Sequence, residues 1–415
     1  MKLNSKDPCI WYERGRQEAL NVSILCKKKA PKDQVTYAVN HAKRQYPFLE
    51  GTDFLAIYEE LNEARLEAGL DYELYPEAKG LKDCHRERQR GFMEASGCSK
   101  AEMAAFYNWF WYETHVLHPR GGGENPAAAQ DGCSVAYFHD SEDGPIFGRN
   151  FDHPMANMDI PAMPNWNHLI HCPVSSLPLL DEEPTERFPV DPFELMSDEI
   201  KADINKVVEF LKRYNEFWGP CNTIVVDTNR NAVTIEKSNC RMGVVYPRDG
   251  ACYTTSFGYE DPDMHAFKVA GDRKYMKKVG ITEDSPDWEF WRGCDRRLER
   301  LGVLMAEEAR KSPSLRGLSA VLRDHDVPFP ARVCLAGEPD ETGLWSVVSF
   351  VSMMTEKDQR MLYSCVENGR AAYANPPYLV PGNGVAIKSE WTVGTRPIPE
   401  GTEQSDAVLA AVQRR

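Results

Sequence analysis

The stretch from His118 to Gln130, HPRGGGENPAAAQ, constrains the fold of this chain most, because it concentrates glycine, proline and alanine without any apolar periodicity. Such a segment reads as an exposed, flexible linker, and the sequence has a different character on either side of it. Upstream, the pattern is helical. Phe54, Tyr58, Leu61 and Arg65 recur at helix spacing, with Arg65 able to snorkel. Ser99 and Glu102 form a capping-box signature ahead of Met103, Phe106, Tyr107 and Phe110, which mark one buried face.

Downstream, the period changes. Residues 134–139 read as a strand, Asp140 to Gly144 (DSEDG) as a tight turn, and 145–150 as the returning strand. A helix is expected over 198–217, with Ile200, Ile204, Val207, Leu211 and Tyr214 inward. Strands follow at 222–226, 232–236, 242–246 and 251–256, separated by TNRN and PRDG turns. Ser285-Pro286 starts a helix running to about Arg310, a second spans 315–323, and strands near 344–353 and 360–366 precede a Pro/Gly-rich tail. Helices, hairpins, helices and strands in that order predict a layered α+β architecture rather than alternating βαβ units.

With 415 residues the chain can bury one large core or two ordinary ones. Its net charge of -14 excludes nucleic acid and anionic membranes as main partners, since both would repel it. The N-terminal residues lack the uninterrupted apolar run of a signal peptide, and the apolar-leaning run from Leu344 to Met354 is too short to span a bilayer. Twelve cysteines without a CxxC pair read as reduced thiols in a cytoplasmic compartment. His168, His171 and Cys172 would share a helix face, but Pro164 and Pro173 oppose a helix there and no second ligand cluster accompanies them, so no metal site is expected. Gly121-Gly-Gly and Gly382-Asn-Gly lack the Lys-Ser/Thr and helix of a phosphate loop.

The chemistry concentrates where the linker ends. Asp131-Gly132-Cys133-Ser-Val-Ala-Tyr opens the first strand, and Gly148-Arg149-Asn150-Phe151-Asp152 closes the hairpin beside it. If the Gly132–Cys133 bond were cut, Cys133 would carry both a thiol and a free α-amine. That amine titrates at about 7.7–8.0, so one residue can supply nucleophile and base. Asp152 can orient the α-ammonium. Arg149 can bind a substrate carbonyl or carboxylate and help to ionise the thiol. The competing reading of each, an ordinary structural ion pair, is the weaker one.

The segment DGCSVAY…GRNFD resembles the processing and catalytic signature of the isopenicillin N acyltransferase family. Its Cys, Arg, Asp order also resembles the related choloylglycine hydrolases. Cys221–Glu236 is similar to the family's central hairpin, the helix carrying Arg296, Arg297 and Arg300 to its paired-arginine helix, and Asp324 through Cys334 to a later segment ending in Ile-Cys-Arg. The resemblance implies a four-layer αββα N-terminal-nucleophile sandwich that cleaves itself by an N-to-S acyl shift. Residues 1–132 would be the helical small subunit and 133–415 the catalytic core, the two forming one folded unit. The implied activity is hydrolysis or transacylation of a linear non-peptide amide through a thioester on Cys133. Its partners would be a small-molecule amide or acyl donor and the chain's own N-terminal fragment, with homo-oligomerisation compatible and no cofactor required.

The chain departs from the family pattern at three places. Thr255 stands where the family's Asn donates to the oxyanion, its hydroxyl having a shorter reach. Leu335 stands where the arginine of Ile-Cys-Arg would be, and only about seventy residues separate Asp152 from the central hairpin. Asn222, opening that hairpin, is a further candidate for the site or for a strand-edge role. Two other readings compete: a catalytically silent relative that serves as a binding or structural protein, and a conventional Cys–His protease, for which no histidine sits in a recognisable partner motif.

Overall fold

The computed structural model describes residues 7–25, 51–68, 80–112, 133–142, 144–153, 170–175, 195–215, 221–238, 241–279, 282–284, 286–324, 326–328, 331–334, 345–354, 359–365, 378–381 and 387–388, with isolated positions between 32 and 43. Before residue 113 the elements are helices: α1 (Pro8–Leu25), α2 (Phe54–Ala68), α3 (Leu81–Ser96) and α4 (Lys100–Tyr112). Helix α3 runs between Gly80 and Gly97, both left-handed at φ 82 and 68, and the Gly97 N–H closes its last turn on Met93 O at 2.8 Å. The expected capping box starts α4: Ser99 N–H donates to Glu102 Oε2 at 2.7 Å, and Glu102 N–H to Ser99 Oγ at 3.2 Å. Phe54, Tyr58 and Met103 are buried, as their spacing predicts, whereas Leu61, Phe106 and Tyr107, expected on the same faces, are only half-buried; the side chains of Arg65 and Phe110 lie outside the described residues.

Strands begin at residue 134. One sheet has the order β11-β10-β9-β8-β2-β1-β7, built from β1 (Ser134–Phe138), β2 (Ile146–His153), β7 (Ala251–Thr255), β8 (Trp345–Met354), β9 (Gln359–Cys365), β10 (Tyr378–Pro381) and β11 (Ile387–Lys388). A second sheet has the order β3-β4-β5-β6, from β3 (Ile170–Ser175), β4 (Cys221–Val226), β5 (Ala232–Lys237) and β6 (Met242–Val245). All pairings are antiparallel, which with the helices makes the chain α+β. The helix expected over 198–217 is two helices, α5 (Asp198–Lys201) and α6 (Ile204–Arg213). The break falls at Asp203, whose extended backbone and side chain cap α6 by accepting from Asn205 N–H at 2.9 Å. Helices α7 (Pro262–Val279), α8 (Pro286–Ala309) and α9 (Leu315–Leu322) follow. Among the described residues no helix is long and apolar enough to cross a membrane.

Side-chain alternation assigns the faces. Ala136 and Phe138 of β1, Ile146 of β2 and Ala251 of β7 pack with Leu301, Leu304 and Met305 of α8 and Leu318, Val321 and Leu322 of α9. Val225, Val233 and Ile235 of the second sheet pack with Val207, Phe210 and Leu211 of α6, and the same cluster takes in Trp11, Leu66, Leu81 and Cys84 of α1, α2 and α3. The opposite faces of the two sheets meet. Tyr137 Oη donates to Arg230 O at 2.8 Å, Thr234 Oγ1 to Tyr253 O at 3.4 Å, and Asn222 Nδ2 to Thr255 O at 3.2 Å and Gly258 O at 2.7 Å.

Candidate active site between the sheets

Cys133 immediately precedes β1 and is 1% exposed. Its carbonyl accepts from Ser256 N–H at 2.9 Å, which extends the β1–β7 ladder by one rung. In that ladder Val135 lies opposite both Arg149 and Thr254, so Cys133, Val135, Arg149 and Thr254 share the face turned to the second sheet. The side chains confirm the parity: Arg149 Nη2 donates to Cys133 Sγ at 3.5 Å, with the arginine 8% exposed. A permanently charged guanidinium beside the sulfur can stabilise the negative charge that develops there as the thiol gives up its proton.

Not every buried thiol has such a neighbour. Cys252, on the same face of β7, is pushed up to about 12, chiefly by burial, which leaves it a small inert hydrophobe. Cys294 does have a guanidinium beside it, Arg297 Nη2 donating to its sulfur at 3.9 Å, yet burial outweighs that charge and the thiol is raised. The eight cysteines whose side chains are described are thiols rather than disulfides.

The other expected site residues divide. Gly132 lies outside the described residues. Asp152 is on β2 by its backbone, opposite Ser346 and next to a register shift between Phe151 and Asp152, while its side chain lies outside the described residues. Thr255 is not brought to the thiol. It pairs with Ser134, so its side chain is on the helix-facing side of the sheet, and its Oγ1 lies where a Cβ on Gly258 would meet it at 2.5 Å, next to Leu298 of α8. With a side-chain period of two, an alignment one residue out reverses the face. Asn222 does reach the site region, but both its N–H bonds go to the carbonyls of Thr255 and Gly258, leaving none for an oxyanion. Its role is to tie β4 to the end of β7. Leu335 lies outside the described residues, as does His168, and no group of metal-holding side chains occurs among those described.

A second tie escaped the sequence reading. Glu236 lies opposite Asn222 on β5, 1% exposed, and its two oxygens accept from Glu260 N–H at 2.6 Å and Asp261 N–H at 2.9 Å. Burial, the largest influence, pushes its carboxyl up to about 8 despite those two donors. The signal was an acid set in a strand, AVTIEK, whose every residue is buried. Between them, Asn222 and Glu236 fix residues 255–261, a segment that includes Phe257 in the left-handed region at φ 62.

No protein-family model matches this chain, and no curated protein matches it significantly.

Proposed function

We propose that the chain is a self-processing cysteine enzyme of the N-terminal-nucleophile kind, similar to the isopenicillin N acyltransferases, in which Cys133 cleaves the Gly132–Cys133 bond and then serves as nucleophile. The observation that carries this reading is the Arg149 guanidinium 3.5 Å from the Cys133 sulfur, at the start of a strand between two sheets. Helices packed on the outer face of each sheet support the four-layer αββα arrangement the proposal requires.

In the self-cleavage step Cys133 Sγ bonds to the Gly132 carbonyl carbon, the C–N bond breaks, and the proton lost by sulfur ends on the released amine. Water then hydrolyses the thioester, giving a Gly132 carboxylate and a free thiol. With a small-molecule amide the same attack makes an acyl thioester and releases the substrate's amine; water completes a hydrolysis and a second amine a transacylation. The new α-amine of Cys133 is the base, so the chemistry requires no metal or organic cofactor. The N-terminal fragment would stay bound, because Trp11, Leu66, Leu81 and Cys84 share a core with Val225, Val233 and Ile235 of the second sheet.

The test is covalent trapping. Incubation with p-nitrophenyl acetate should acetylate the Cys133 peptide in wild type, and Arg149→Met should acylate far more slowly. A wild-type Cys133 that stays unmodified, while the exposed Cys9 reacts, would sink the proposal. One observation favours the silent-relative reading instead: Asn222 is committed to backbone carbonyls and Thr255 faces away, so neither offers the family's oxyanion donor.

A further inference from the structure

Resting on the proposed self-cleavage, we infer that the Ser256 hydroxyl relays the proton from the Cys133 thiol to the departing Cys133 amine. Ser256 stands directly across the ladder from Cys133, its N–H bonded to the Cys133 carbonyl at 2.9 Å. Alternation from Thr254 puts its side chain on the Cys133 face, where cross-strand partners have Cβ atoms about 4.5–5.5 Å apart; the hydroxyl bonds neither the sulfur nor the nitrogen of Cys133 before the reaction, and the relay requires it to turn onto them. Ser256 is fully buried, and its Oγ has no hydrogen-bond partner among the described residues. Ser134 Oγ and Thr255 Oγ1 are open as well, but they lie on the helix-facing side of the sheet, so of these three hydroxyls only Ser256 is both open and on the nucleophile's face.

The surroundings hold it there. Asn222 grips the carbonyls before and after it, Glu236 grips Glu260 and Asp261, and Phe257 next to it adopts a backbone conformation that side chains rarely accept. The other polar groups on this face are less suited to the task. Arg149 has no lone pair to accept a proton, and the Thr254 hydroxyl points along its own strand to Thr255 O at 3.5 Å.

The relay balances. As the Sγ–C bond forms at Gly132, the sulfur's proton passes to Ser256 Oγ. As the C–N bond breaks, the serine's own proton passes to the Cys133 nitrogen, and the hydroxyl is regenerated. Losing such a relay should slow the step by about 100-fold, the lower end of what general acid–base groups contribute.

The experiment follows full-length chains after cell-free synthesis, measuring cleavage by intact mass between pH 6 and 9 for wild type, Ser256→Ala and Ser256→Thr, with a melting curve for each. The expected result is a roughly 100-fold slower Ser256→Ala whose rate climbs with pH more steeply than wild type, substantial recovery in Ser256→Thr, and an unchanged or raised melting temperature for the alanine variant. Ser256→Ala cleaving at the wild-type rate overturns the relay alone. Ser256→Ala melting well below wild type makes the hydroxyl structural and also overturns it. A wild type that stays whole overturns self-cleavage, and the relay with it.

Discussion

Replacing Glu236 by glutamine should change how the protein's stability depends on pH. The folded state holds this carboxyl at about 8, against an ordinary value of 4.5, because it is buried between the sheets. A raised carboxyl keeps its proton in the folded chain where the unfolded chain has released it. Stability is therefore fullest below the unfolded value, falls as pH rises from 4.5 towards 8, and levels off above that. At about 1.4 kcal/mol per pH unit, the interval corresponds to roughly 5 kcal/mol, an upper figure for this one group. That is a large share of a typical domain's stability of about 5–15 kcal/mol. Glutamine keeps the shape, one acceptor and no titration. Urea unfolding of both proteins at pH 5, 6, 7, 8 and 9 measures the effect. The other titrating groups are common to both, so the difference between the two curves isolates Glu236. The stability of wild type relative to Glu236→Gln should decline across that window by several kcal/mol, then hold constant. Two curves that stay parallel from pH 5 to 9 would refute the reasoning, and would mean that the Glu260 and Asp261 N–H groups keep the carboxyl ionised throughout.

Two other substitutions probe the frame around the site. Helices α1 and α3 touch through glycines: a Cβ on Gly91 would lie 2.1 Å from Tyr12 O, and one on Gly15 1.9 Å from Arg88 O. Gly91→Val should therefore cost about 1–3 kcal/mol or more by forcing the helices apart, seen as a lowered melting temperature; unchanged melting would contradict this packing. Asn222→Leu should deprive the Gly258 carbonyl of its side-chain donor, at about 1–3 kcal/mol, while the Thr255 carbonyl keeps its longer bonds from Gly258 N–H and Thr254 Oγ1, and should speed amide hydrogen exchange in residues 255–261. Protection at the wild-type level would mean that the tie is dispensable.

Much of this fold was legible because its signals are local. The hairpin of β1 and β2 announced itself through strict turn chemistry, α4 through Ser99 and Glu102, and α8 through Pro286. The misses have physical causes. Asp203 interrupts a continuous apolar stripe by capping, which hydrophobic period alone does not register. Helix α7 was left unassigned although Asp261 caps it, its Oδ1 accepting from Asp263 and Met264 N–H at 3.0 Å each. Strand β3 carries Pro173, which weakens any strand reading, and β10 ends in Pro381 within a Pro/Gly-rich tail. In the site, the proximity of Cys133 and Arg149 was readable from hairpin length. The choice of Thr255 over Ser256 was not, because it turns on which rung of the β1–β7 ladder pairs with which, a register that only the tertiary structure sets.

The central claim, that Cys133 severs the bond before it, is tested most directly by intact mass with N-terminal sequencing of freshly purified wild type and Cys133→Ala. Self-cleavage predicts wild type in two pieces, one beginning at Cys133, and a Cys133→Ala chain that stays whole. A wild type that stays whole under native conditions, or a Cys133→Ala chain cut at the same bond, would contradict it.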